Sequence, residues 1–142
     1  MILALRQGLR QVLTEGLIER FTRHTFNAQA LCAGLEGLGL ECVVPSEYRL
    51  AQITVVKIPD GIDDMQVRQR LLRGYGIEIG GGLGELAGNV WRIGLMGESS
   101  KAEYVLALLS ALESVLPEAG FEVATGAGVG AASSVFKSHK GQ

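Results

Sequence analysis

Charge of one sign, aromatic mass and long apolar runs are all scarce in this chain, and each scarcity removes a class of function. Thirteen Lys and Arg stand against fifteen Asp and Glu, for a net charge of −2, so the chain offers no electrostatic footprint for nucleic acid or an anionic membrane. No apolar run approaches the roughly 20 residues that a membrane-spanning helix needs. The apolar start is interrupted by Arg6 and Arg10 and followed by Glu15 and Glu19, which excludes the unbroken core of a secretory signal. Only two cysteines occur, Cys32 and Cys42, without metal-type spacing or neighbouring histidines. They read as small buried hydrophobes in a reducing, cytoplasmic setting, with a disulfide between them left open. The two histidines are isolated: His24 reads as a solvated position and His139 lies in a tail. No internal repeat is present.

What is there suffices for one domain. Hydrophobic residues make up 47% of 142 residues, enough for a real core. Such an apolar balance also predicts that part of the surface lies against a partner, as in a homo-oligomer or against a further domain. Ile2, Leu5, Leu9, Val12, Leu13 and Leu17 recur at helical spacing and predict a first helix to about Arg20 or beyond; Phe26, Ala30, Leu31, Leu35 and Leu38 predict a second, ended by Gly37 and Gly39. Glu41 to Val44 reads as a strand cut by Pro45. Ile53 to Ile58 reads as another, before the turn Pro59-Asp-Gly61.

A third helix is predicted with Asp63 as N-cap and Val67, Leu71 and Leu72 facing inward, up to Gly74 or Gly76. The strand Ile77-Glu-Ile79 follows, then a glycine loop, then the strand Val90 to Met96. Ser100-Lys-Ala-Glu103 has the form of a capping box opening a last helix that Pro117 stops. This order implies an α+β fold, a small mostly antiparallel sheet with helices on one face. Residues 1–116 form that domain. The remainder, 117–142, is small and glycine-rich from Ala124 to Ser134 and reads as a disordered tail.

Two features carry chemistry. Arg92 sits inside an otherwise apolar strand, and the one acid close by in sequence, Glu98, lies beyond the strand end. A guanidinium in that setting requires a partner, either a distant acid or a bound carboxylate gripped by its planar fork. The loop Gly80-Gly-Gly-Leu-Gly84 invites a phosphate-binding reading, but Glu85 and Leu86 stand where a Walker motif needs Lys and Ser or Thr, and a strand follows instead of a helix. A turn between strands that permits close backbone approach accounts for it better.

The run Ile77 to Gly97, with its Gly-Gly-Gly-Leu-Gly loop and Val-Trp-Arg-Ile-Gly-Leu-Met-Gly strand, resembles the C-terminal small domain of class V aminotransferases of the alanine–glyoxylate and serine–pyruvate type. Ala4 to Leu9, Glu15-Gly-Leu17, Tyr48-Arg-Leu50 and Ile58 to Gly61 extend the likeness, so that it covers about Ile2 to Leu116. The resemblance implies a domain of the large fold shared by aspartate aminotransferase, with Arg92 binding the α-carboxylate of an amino-acid or 2-oxo-acid substrate and Gly81 and Gly82 at the active-site entrance. It implies no catalytic residue, cofactor ligand or metal ligand on this chain. Pyridoxal phosphate is the family's cofactor, held mainly by a large N-terminal domain that supplies the Schiff-base lysine. Lys57, Lys101, Lys137 and Lys140 do not resemble that lysine's context. The chain by itself is therefore expected to bind no cofactor and to be inactive. The alternative is a non-enzymatic remnant that dimerises or binds another protein.

Overall fold

A computed structural model describes residues 1–139; the end of the C-terminal tail, residues 140–142, lies outside the described residues. The elements in order are α1 (Ile2–Glu15), α2 (Leu17–Gly37), β1 (Ile53–Lys57), α3 (Asp64–Tyr75), β2 (Gly80–Gly81), β3 (Val90–Gly94), α4 (Ala102–Glu118) and α5 (Ala127–His139). The three strands form an antiparallel sheet of order β1-β3-β2. This is the α+β architecture expected from the sequence.

β3 is the central strand. Its residue alternation sends Trp91 and Ile93, together with Thr54 and Val56 of β1, into the core, and leaves Arg92 opposite Val55 on a face where Ile53 and Val55 are only half-buried. Leu31 and Leu35 of α2, Val67 and Leu71 of α3, and Leu108, Leu109, Leu112 and Leu116 of α4 complete the core. Asp63 caps α3 as the sequence implies, accepting a hydrogen bond from the Gln66 N–H at 3.0 Å, and Gly76 ends the helix in the left-handed region at φ 66°.

Several boundaries differ from the sequence reading. The first helix stops at Glu15, because Gly16 takes φ 89° and ψ 144° and the chain restarts at once as α2. Apolar spacing runs across this elbow without a gap, so periodicity alone hides it. Glu41 to Val44 forms only a short bridge along β1, between Cys42 and Val56. Residues 77–79 are not paired; β2 is the following Gly80–Gly81. Leu72 is exposed on α3. Ser100 does not cap α4, whose N-cap is Lys101, and Pro117 falls within the last turn instead of ending the helix before it.

The largest correction concerns the C-terminal segment. Ala127–His139 is a helix packed on α2, with Ala132 fully buried and Phe136 edge-on to Phe26 at 5.4 Å between ring centroids. Its small residues are what permit this. A Cβ on Gly128 would stand 3.1 Å from the Gly34 carbonyl oxygen and 2.8 Å from the Leu38 side chain. Packing here is between backbones, and small residues substitute for large apolar ones by shortening the distance between helices. Glu113 of α4 caps the new helix, accepting from the N–H groups of Gly126, Gly128 and Val129 at 2.9–3.1 Å, so donors that a helix start leaves unpaired find a carboxylate. Gly34→Val, which forces methyl groups into this contact, should lower unfolding stability by about 1–3 kcal/mol. A urea midpoint that does not move would show that α5 is not held this way.

Candidate functional site

Arg92 occupies the middle of the central strand with Val55 on one side and Gly80 on the other. Its Nε–H donates to the Gly81 carbonyl at 2.8 Å, and the guanidinium lies against Gly80, where an added Cβ would meet Nη2 at 3.4 Å. Gly81 sits above the Asp64–Arg68 pair, its missing side chain leaving 3.3 Å to Asp64 Oδ2. Gly82 approaches the turn at Gly84–Leu86 so closely that a Cβ would fall 1.9 Å from the Leu86 carbonyl oxygen. Close backbone approach therefore explains both glycines. It keeps β2 against β3 and presents a carbonyl to Arg92.

Six arginines are half-buried: Arg20, Arg23, Arg49, Arg68, Arg70 and Arg92. Among the described residues the first five pair with Glu15, Glu15, Glu36, Asp64 and Glu118 respectively. Arg92 has no carboxylate partner among the described residues; Glu98, its nearest acid in sequence, instead lies 3.7 Å from Lys101. Of the two partners the sequence leaves open, no distant acid among the described residues fills the role. A half-desolvated guanidinium is chemically suited to an anion, and its flat fork matches a carboxylate.

Two polar clusters hold the strand that carries it. On the core side, the Trp91 indole donates to Asp64 Oδ1 at 2.9 Å, while Arg68 donates to both oxygens of the same carboxylate at 2.7 and 2.9 Å. The Arg68 guanidinium, followed by the indole hydrogen bond, holds the Asp64 carboxyl below its ordinary range. The strand thus has a fixed register, because the buried indole N–H requires this acceptor.

At the far end of β3, α2 grips the turn of residues 97–100. Asn27 Nδ2 donates to the Ser100 carbonyl at 2.8 Å and to its Oγ at 3.2 Å. His24 is buried, not solvated as its sequence context implies: its Nε2 accepts from the Gly97 N–H at 3.0 Å and its Nδ1 faces the Arg20 carbonyl at 2.7 Å. Arg23 donates to the Gly97 carbonyl at 3.0 Å and pairs with Glu15 across the Gly16 elbow. The sequence signal for this cluster is the spacing of Arg20, Arg23, His24 and Asn27, which places four polar groups on one helical stripe otherwise expected to be apolar.

Glu15, bridged by Arg23 and Arg20, has its carboxyl pulled down from 4.5 to about 2, with the Arg23 hydrogen bond the main cause. A depressed folded value means that the pair's stabilisation is complete above pH 4.5 and is lost as pH falls towards about 2. Glu15→Gln should accordingly flatten the acid limb of the stability profile in that window while changing its slope little at neutral pH. An unchanged acid limb in urea titrations would contradict the bridge.

The fold, with its covered three-stranded antiparallel sheet, is that of the C-terminal domain of an aminotransferase. The structure superposes on the crystal structure of ureidoglycine–glyoxylate aminotransferase from Bacillus subtilis with a TM-score of 0.91 and 43% identity, covering 94% of this chain and 35% of that one. In sequence, the chain is 43% identical to the (S)-ureidoglycine–glyoxylate transaminase of Bacillus subtilis over 137 residues, 96% of this chain and 33% of the relative. It is 36% identical to the alanine–glyoxylate aminotransferase of Drosophila melanogaster over 126 residues, 88% of this chain and 32% of the relative. No protein-family model matches. The chain belongs to the class V aminotransferases of the alanine/serine–glyoxylate type, matching their C-terminal part. It spans about a third of the length of the curated relatives it matches.

Proposed function

We propose that this domain orients the α-carboxylate of an amino acid or 2-oxo acid during pyridoxal-phosphate-dependent amino transfer, with Arg92 as the carboxylate-binding residue. The observation that carries this reading is that Arg92 alone of the half-buried arginines lacks an acid among the described residues. Its strand is clamped at both ends, so the guanidinium is held before a ligand arrives, and a bidentate grip would fix the angle at which the α-carbon is presented. Gly81 and Gly82 keep the loop beside it low enough for a substrate to approach, an entrance role in which their lack of side chains is the useful property.

Pyridoxal phosphate supplies the electron sink for chemistry at the substrate's α-carbon. The residues around Arg92 do not by themselves make a cradle for it. The half-buried face carries Ile53, Val55 and Arg92, with Lys57 exposed at the strand end, and Lys101 is drawn towards Glu98. Among the described residues no acid on that face is placed to meet a ring nitrogen. This chain's contribution is positioning, and cofactor chemistry would require residues beyond those described.

In an enzyme carrying this domain, Arg92→Lys should raise KM for the amino acid by roughly tenfold or more, because an ammonium makes a point contact where the guanidinium makes two parallel hydrogen bonds. A carboxylate-free amine should react equally well with both forms. Unchanged amino-acid kinetics would refute the assignment.

A second reading, association through α1, has its own support. No residue of α1 is buried, and Ile2, Leu5, Leu9 and Leu13 expose 82%, 63%, 54% and 81% of their surface along it. Such a stripe is larger than isolated monomers usually leave in water. Light scattering on the chain should give a mass above that of the monomer, returning to monomer in a Leu9→Lys, Leu13→Lys variant. A strictly monomeric chain at high concentration would contradict this reading.

A further inference from the structure

On the opposite side of β1 from β3, a pocket of about 210 Å³ opens between α2 and the arm of residues 42–51. Cys32 of α2 and Cys42 of the arm both line it, as do Arg49 and Thr54. The arm is held in place by bonds along β1: the Val43 N–H donates to the Val55 carbonyl at 3.0 Å, and the Lys57 N–H to the Glu41 carbonyl at 2.8 Å. Arg49 closes the arm on itself, its Nε–H donating to the Val44 carbonyl at 2.7 Å, and reaches Glu36 of α2 at 3.5 Å. Cys32 and Cys42 are both free thiols, and each is the leading influence on the other's ionisation. Two free thiols from separate elements thus share the wall of one accessible pocket with the Arg49 cation.

We propose that Cys32 and Cys42 form a redox-active dithiol, which small hydroperoxides entering this pocket oxidise to an intramolecular disulfide. Cys32 is the attacking group. The neighbouring Cys42 thiol first, then the Arg49 charge and the Thr54 side chain, favour its thiolate, against burial and the Glu36 carboxylate. The neighbouring Cys32 sulfur first, then burial, hold Cys42 protonated, with Arg49 opposing.

In the first step the Cys32 thiolate attacks an oxygen of the hydroperoxide, the O–O bond breaks, and the alcohol or water leaves with a proton, giving a sulfenic acid. The Cys42 sulfur then attacks that sulfur, the S–O bond breaks, water leaves, and the S–S bond forms. Two electrons pass from the two thiols to the peroxide, and a thiol reductant reverses the change. The product ties α2 covalently to the arm along β1.

Hydrogen peroxide applied to the folded chain tests this. The expected result is loss of the mass of two hydrogen atoms from the monomer, no alkylatable thiol afterwards, and recovery of both thiols with dithiothreitol. In Cys42→Ser, Cys32 should stop at a sulfenic acid that dimedone traps; in Cys32→Ser, Cys42 should oxidise roughly tenfold more slowly or less. Limiting iodoacetamide on the unaltered chain, mapped by peptide mass, should label Cys32 in excess and needs no variant to fold. A disulfide that forms only between two chains, retention of both thiols, or preferential labelling of Cys42 would each overturn the proposal.

Discussion

The placement of β3 between β1 and β2 is the constraint on which the rest of the structure depends. A strand with neighbours on both sides has its backbone groups satisfied, and its side chains must alternate between the two faces. Trp91 therefore enters the core and Arg92 leaves it. A slip of one residue would turn the guanidinium into the apolar core and expose the indole, which is costly for a charge with no partner there. The Trp91–Asp64 hydrogen bond distinguishes the correct register from that alternative, because only in this register does the indole N–H find an acceptor.

Polar groups, not apolar ones, then fix where the strand lies relative to the helices. Asp64 and Arg68 hold one side through Trp91; Arg23, His24 and Asn27 hold the turn beyond its end. Each cluster is satisfied internally, and among the described residues no buried side-chain polar atom lacks a partner. Directional bonds of this kind add less net stability than burial does, but they select one geometry. The outcome is a guanidinium whose position is set by its surroundings and which pairs with no carboxylate among the described residues, the arrangement on which the proposed positioning role rests.

Local signals carried a good part of this. Asp63 as a cap, Val67 and Leu71 as an inner face, β-branched residues at 54–56, and the apolar strand containing Arg92 depend on neighbours in sequence, and the structure has them where those signals place them. The features that escaped depend on distant partners. Ser100 resembles a helix cap until Asn27 claims its carbonyl and hydroxyl. His24 among Arg23 and Thr25 reads as solvated until the Gly97 N–H is set against its ring. Ala127–His139 is built mostly of small residues, with Val129, Ala132, Val135 and Phe136 against the core, and Gly34 and Gly37 of α2 and Glu113 of α4 supply the close approach and the cap.

The sequence by itself determined the class of fold, the strand Val90 to Met96 and the place of an arginine within it, because side-chain alternation and turn chemistry act over a few residues. Tertiary structure alone decided that Arg92 has no acid among the described residues, that Cys32 and Cys42 line one pocket, and that the glycine-rich C-terminal segment is a packed helix. Each of those outcomes turns on which groups from separate elements come within a few ångströms of one another, and spacing along the chain does not encode that distance.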